Sequence, residues 1–175
     1  MSKHVPDFIN PFRSAEGGYS IAGDVAFARM GRLIELVRNT EGSAQVILNF
    51  GMDKQGIPFV QGQIRTEVEL ICQRCLEPMN IPIQVDMDLA IIGSDDEVKR
   101  LPERYDPLLV SEQPLSVAEL VEDEILLALP AVPRHDEGVC SETGILTTEN
   151  RDVTEESVES HTNPFAVLAR LKSNR

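Results

Sequence analysis

A chain of 175 residues, 42% hydrophobic and 26% charged, has the length for one domain with a proper core, or for a domain with a tail. Its 29 acids against 16 bases give a net charge of −13, which opposes whole-surface binding to phosphate backbones or anionic membranes. With 5% aromatics, no run of 18 apolar residues, no apolar stretch behind a basic N-terminus and three cysteines, the sequence excludes base-stacking platforms, a spanning helix, a secretory signal and a disulfide scaffold, leaving an acidic cytoplasmic protein as the expectation.

Met1–Gly18, with two prolines and two glycines, reads as an extended arm. Asp24 is a good N-cap for a helix over Val25–Arg38, in which Phe27, Met30, Leu33, Ile34 and Val37 recur at three- and four-residue steps. Arg29, Arg32 and Arg38 lie off that apolar stripe. From Ala44 the period becomes two. Ala44–Phe50, Phe59–Ile64, Thr66–Cys72 and Ile81–Leu89 read as strands, and the last alternates Ile81, Ile83, Val85, Met87 and Leu89 against Pro82, Gln84, Asp86 and Asp88. Antiparallel neighbours with one wet face produce this pattern, so Cys72–Asn80 becomes a hairpin turn.

Gly93–Pro107 is charged and reads as a loop. Ser116 and Glu119 form a capping box for a second helix, Ser116–Leu129, which Pro130 and Pro133 forbid to continue. Asp136–Glu159 then holds eight acids and one base, a net −7, with few large apolar residues. Asn163 and Pro164 start a last short helix carrying Phe165, Leu168 and Leu171. The expected fold is therefore α+β. Residues 1–140 make one domain, an antiparallel sheet packed by two main helices with Val68, Leu70, Ile83, Val85, Leu120 and Ile125 in its core. An acidic flexible segment, 141–162, and a short C-terminal helix, 163–175, follow.

Cys72-Gln-Arg-Cys75 is the sharpest local signal for chemistry. Two thiolates three residues apart across a tight turn can chelate one tetrahedral zinc, and His135 with Cys140 supplies the other two ligands. The set Cys72, Cys75, His135 and Cys140 uses every cysteine in the protein, although no glycine follows Cys75 as it often does in zinc ribbons. The bland alternative is a pair of reduced thiols at a turn. A redox pair fits less well, because it belongs at the head of a helix rather than in a hairpin. Glu119, Glu122, Asp123 and Glu124 read as a solvated helix face or a docking face for something basic. No phosphate-binding loop, dinucleotide turn or hydrolase motif occurs, so no enzyme is expected. For a partner, Arg29, Arg32, Arg65 and Arg74 are the basic candidates, provided the acidic segment folds away.

Four segments together resemble the YceD-like family of large ribosomal RNA subunit accumulation proteins: Cys72-Gln-Arg-Cys75-Leu-Glu-Pro-Met79, Leu101-Pro-Glu-Arg-Tyr-Asp-Pro107, Leu120 through His135 with Cys140 behind it, and Asn163 through Lys172. The resemblance implies a role in synthesis, processing or stability of 23S ribosomal RNA and in large-subunit assembly, and brings no catalytic residues with it. Other branches of the family place further cysteines where this chain has His135 and Cys140, which resembles a metal site with variable ligands. A non-catalytic factor that binds rRNA or a basic ribosomal protein is the expected function. The alternative is a hydrolase or thiol redox enzyme acting on RNA or on a ribosome-associated protein, and neither a membrane nor a small-molecule substrate is expected.

Overall fold

A computed structural model describes residues 5–110, 114–136 and 139–140. The expected acidic segment 141–162 and C-terminal helix 163–175 lie outside the described residues. After a two-residue strand, β1 (Phe8–Ile9), Asn10 and Gly18 bracket a helix, α1 (Pro11–Gly17), where an extended arm was expected. The Asn10 side chain accepts from Arg13 N–H at 3.0 Å, Pro11 takes the first helical position, and Gly18 closes the helix in the left-handed region at φ 61°. Those end signals outweigh a body too short to display periodicity.

The largest correction concerns Val25–Arg38. Ser20–Ala26 is a strand, β2, followed by a 3-10 turn, Phe27–Arg29, and a single helical turn, α2 (Gly31–Ile34). Asp24, the expected cap, instead sits opposite Gln45 in the pairing of β2 with β3 (Ser43–Met52). Met30 leaves the helical region at φ −115°, ψ 83°, and Gly31, which weakens a helix interior, follows it. The apolar set is still buried: Phe27, Met30 and Leu33 are fully enclosed and Val37 is nearly so. Helical spacing reported correctly which residues face inward, but the chain reaches those positions through two short turns. Gly42 is required beside them, because a Cβ there would run into the Phe27 ring.

β3, β4 (Pro58–Ile71) and β5 (Pro78–Ile92) form the antiparallel centre of a five-stranded sheet ordered β2-β3-β4-β5-β6. The two strands expected over Phe59–Cys72 are one continuous strand, with Arg65 on its solvent face. Gly93–Pro107, expected as a loop, includes a helical turn, α3 (Asp95–Val98), and leads into β6 (Asp106–Leu109). β6 pairs parallel to β5, from Leu89↔Asp106 to Ile92↔Leu109, so the sheet is not wholly antiparallel. The connection between them is long enough for such a crossover. β7 (Leu115–Ser116) pairs with β1 and leads into α4 (Val117–Ala128), whose N-cap Ser116 accepts from Glu119 N–H at 3.3 Å.

α4 lays Val117, Leu120, Val121 and Ile125 into the core against the buried face of the sheet. Of the six expected core residues, Val68, Leu70, Ile83, Leu120 and Ile125 are buried and Val85 is half-buried. The opposite sheet face carries rows of polar side chains, such as Ser20–Asn49–Gln61–Asp88. No helix among the described residues is long and apolar enough to cross a membrane.

Candidate metal centre

The hairpin between β4 and β5 turns tightly because Cys72 N–H bonds to the Glu77 carbonyl at 2.9 Å and Leu76 N–H to the Cys72 carbonyl at 2.9 Å. Leu76 takes the left-handed conformation, φ 62°, in the place after Cys75 where zinc ribbons often carry a glycine. It is the one non-glycine residue among the described ones with positive φ, and its side chain is 65% exposed. The turn thus holds Leu76 in a conformation that costs about 1–2 kcal/mol locally.

The chain following α4 closes over this turn. Gln73 N–H reaches the Pro133 carbonyl at 2.8 Å, and the Arg74 guanidinium donates to the carbonyls of His135 and Asp136, each at 3.2 Å. His135 and Cys140 arrive beside Cys72 and Cys75, with all four ligand atoms within 4.8 Å of one another. Cys72 Sγ lies 3.7 Å from Cys140 Sγ, while His135 Nδ1 lies 3.3 Å from Cys75 Sγ and 3.7 Å from Cys140 Sγ. Zinc at about 2.3 Å from sulfur and about 2.0 Å from nitrogen, at tetrahedral angles, separates sulfurs by about 3.7 Å and sulfur from nitrogen by about 3.5 Å. The three separations match edges of such a tetrahedron, and three thiols with one imidazole suit a borderline-soft ion.

The surroundings act oppositely on the two cysteines of the turn. Cys72 is fully buried, which works against its thiolate, yet the N–H groups of Cys75, His135 and Arg74 outweigh burial and lower its thiol to about 5. Of these, His135 N–H lies 3.4 Å and Arg74 N–H 3.5 Å from the sulfur. At Cys75 the Glu77 N–H favours the thiolate, but burial and the neighbouring sulfurs of Cys140 and Cys72 prevail and push the thiol up. Thiolates crowded this closely repel one another, and a divalent cation among them removes that repulsion. Arg74 Nε points at Cys140 Sγ from 2.9 Å, a contact that raises the guanidinium pKa further and makes Arg74 an outer partner of the cluster.

The four arginines named as partner candidates stand on four different elements. Arg74 is turned onto the cysteine cluster, Arg29 pairs with Asp7 at 2.6 Å, and Arg32 pairs with Glu122 at 2.8 Å and Asp123 at 2.6 Å. Arg65 lies open on the sheet face between Gln45 and Gln84. Two further polar structures escaped sequence reasoning. Glu122, read as part of a solvated helix face, is buried and anchors α2. Arg104, within the Leu101–Pro107 segment, grips Asp53 at 2.6 Å and lies 4.6 Å over the Tyr105 ring, which stacks on Phe59. Asp53 in turn accepts from Gln55 and Ile57 N–H at the β3–β4 turn. Nothing in the local pattern marks either pairing, since both join residues far apart in sequence.

Over residues 60–172 the chain matches the family model described as large ribosomal RNA subunit accumulation protein YceD. It is 33% identical over 169 residues to the large ribosomal RNA subunit accumulation protein YceD of Haemophilus influenzae, covering 96% of each chain. No solved structure matches it.

Proposed function

Since this chain belongs to the YceD family of large ribosomal RNA subunit accumulation proteins, we propose that it acts without catalysis in the synthesis, processing or stability of 23S ribosomal RNA during large-subunit assembly. The observation that carries this reading is the family match over residues 60–172, which takes in β4 from Val60 onward, all of β5, the cysteine–histidine cluster and α4. The protein works in the cytoplasm by binding rRNA or a basic ribosomal protein. A net charge of −13 disfavours phosphate as the general target and favours a basic partner.

Zinc held by Cys72, Cys75, His135 and Cys140 serves here as a structural cross-link. It fastens the chain after α4 to the β4–β5 turn, and with four protein ligands it keeps no open position for substrate. Deleting the gene and measuring the ratio of 23S to 16S rRNA, with subunit profiles on sucrose gradients, tests the reading. Loss of 23S rRNA and of large subunits, restored by the intact chain, is expected. An unchanged ratio in the deletion strain overturns it.

A further inference from the structure

We propose that the outer edge of β5, from Asn80 to Asp86, is a docking site for an extended, Lys- and Arg-bearing segment of a basic protein, which pairs with it as an added strand. The inference rests on the reading above and selects the protein partner over the RNA.

Strand pairing leaves this edge open. β6 covers β5 only from Leu89 to Ile92, and among the described residues no strand lies beside β5 before Leu89. The direction of the backbone groups follows from the register. Cys72 and Glu77 are joined by a ladder hydrogen bond, so the bonded pairs continue through Leu70↔Met79, Val68↔Ile81 and Thr66↔Ile83. The intervening residues, Pro78, Asn80, Pro82, Gln84 and Asp86, therefore turn their backbone groups outward. Pro78 and Pro82 have no N–H to offer and sit where none is needed by the ladder, as prolines on edge strands do. Asn80, Gln84 and Asp86 keep theirs, and with the Pro82 carbonyl they form a template for a pairing strand.

The side chains around the edge state what that strand should carry. On the solvent face, Glu69 and Glu67 of β4 stand opposite Asn80 and Pro82, and Asp86 and Asp88 follow further along β5, with Arg65 between the two acidic pairs, opposite Gln84, and Arg38 3.5 Å from Glu69. On the other face, Ile81 and Val85 are only half-buried. A groove of about 800 Å³ runs along the start of the same edge between Pro78–Pro82 and Pro130 with Val132. An extended peptide has opposite faces at alternate residues. One with basic side chains alternating with aliphatic ones places cations against the carboxylates and apolar groups beside Ile81, Val85 and the groove. An RNA strand offers neither backbone donors in strand register nor positive charge.

The test uses the full chain and a fluorescein-labelled synthetic peptide of alternating Lys and Val. Binding by anisotropy, weakened as salt rises, and slowed amide exchange at Asn80, Gln84 and Asp86 are expected. Gln84→Pro removes an outward N–H without touching the β4 ladder, and the pair Asp86→Lys with Asp88→Lys reverses the charge. Each should lower peptide affinity at least about tenfold. Should Gln84→Pro fail to fold, the charge reversal, which changes only solvent-face side chains, gives the same reading. No binding, equal binding of a Glu–Val peptide, polyuridine RNA taking the same edge, or self-association that Gln84→Pro abolishes would each overturn the proposal. In cells, a deletion that leaves 23S rRNA intact defeats the functional reading itself. A deletion that lowers 23S rRNA and is fully rescued by Gln84→Pro defeats only the assignment of the edge.

Discussion

Arg32 and Glu122, 90 residues apart, are joined by a carboxylate that holds both the backbone and the side chain of its partner. Glu122 Oε1 accepts from Arg32 N–H at 2.6 Å and Leu33 N–H at 2.9 Å, and Oε2 accepts from Arg32 Nε at 3.0 Å and Nη2 at 2.8 Å. The first two are N–H groups at the start of α2, which have no partner within so short a helix. Glu122 thus caps α2 from α4, with its side chain 4% exposed, and fixes the segment that carries Met30 and Leu33 into the core.

Removing that carboxylate should be costly. Glu122→Ala leaves the buried Leu33 N–H and the half-buried Arg32 N–H unpaired and is expected to destabilise the protein by about 2–4 kcal/mol, read from urea denaturation. The pH dependence follows from the charge. Burial opposes ionisation, but the Leu33 N–H, the Arg32 guanidinium and the Arg32 N–H prevail and hold the carboxyl below its ordinary value of 4.5. A lowered folded pKa gives stability that is present above the unfolded value and lost as pH falls through the folded one. The difference between the natural chain and Glu122→Gln should therefore be full above pH 4.5 and shrink in more acid solution. A difference constant down to the acid transition would contradict this role.

Cys72→Ser should abolish stoichiometric zinc, because it removes the most enclosed of the four ligands and the one whose thiol is lowered to about 5. The sheet should survive. Its core runs through β3, β4, β5 and α4 without using the cluster, and Cys72 lies at the hairpin end. Metal analysis of the purified chain should find one zinc, and chelation should raise protease cleavage near His135 while leaving the far-ultraviolet spectrum unchanged. One zinc still bound to Cys72→Ser, or a sheet that melts on chelation, would refute the cross-link.

Leu76→Gly is expected to stabilise the protein slightly, by about 1 kcal/mol or less. Leu76 occupies φ 62° with its side chain largely in solvent, so glycine relieves the left-handed conformation and forfeits little packing. Part of the gain is offset by the greater freedom of glycine in the unfolded chain. Thermal melting of the two chains under saturating zinc measures the sign, and a lower midpoint for the variant would show that the Leu76 side chain has a packing partner after all.

The cysteine cluster was legible in the sequence because its chemistry is scarce: three cysteines and one histidine near the last of them leave few ways to make four ligands. Alternation in Ile81–Leu89 and the Ser116–Glu119 box were equally plain, since each is a local signal with one local meaning. Val25–Arg38 misled because helical spacing marks which residues face the core, while pairing of Asp24 and Val25 with β3 decides the backbone. The parallel β6, the Glu122 cap and the Asp53–Arg104 pair all depend on long-range partners, which no window along the chain displays.

Arg74 separates two roles that a binding site can give a guanidinium. It projects from the middle of Cys72-Gln-Arg-Cys75, yet its Nε meets Cys140 Sγ and its Nη2 meets the carbonyls of His135 and Asp136, so it ties the second ligand pair to the first. Outer partners of metal ligands typically contribute about 10–100-fold in metal affinity. Arg74→Ala should therefore weaken zinc binding by about that factor in competition with a chromophoric chelator. Arg74→Lys should recover only part of it, because a point charge cannot bridge sulfur and two carbonyls as a planar fork does. Should zinc affinity stay unchanged in Arg74→Ala while association with large-subunit precursors falls, Arg74 contacts the partner instead, and the knuckle is held by its four ligands alone.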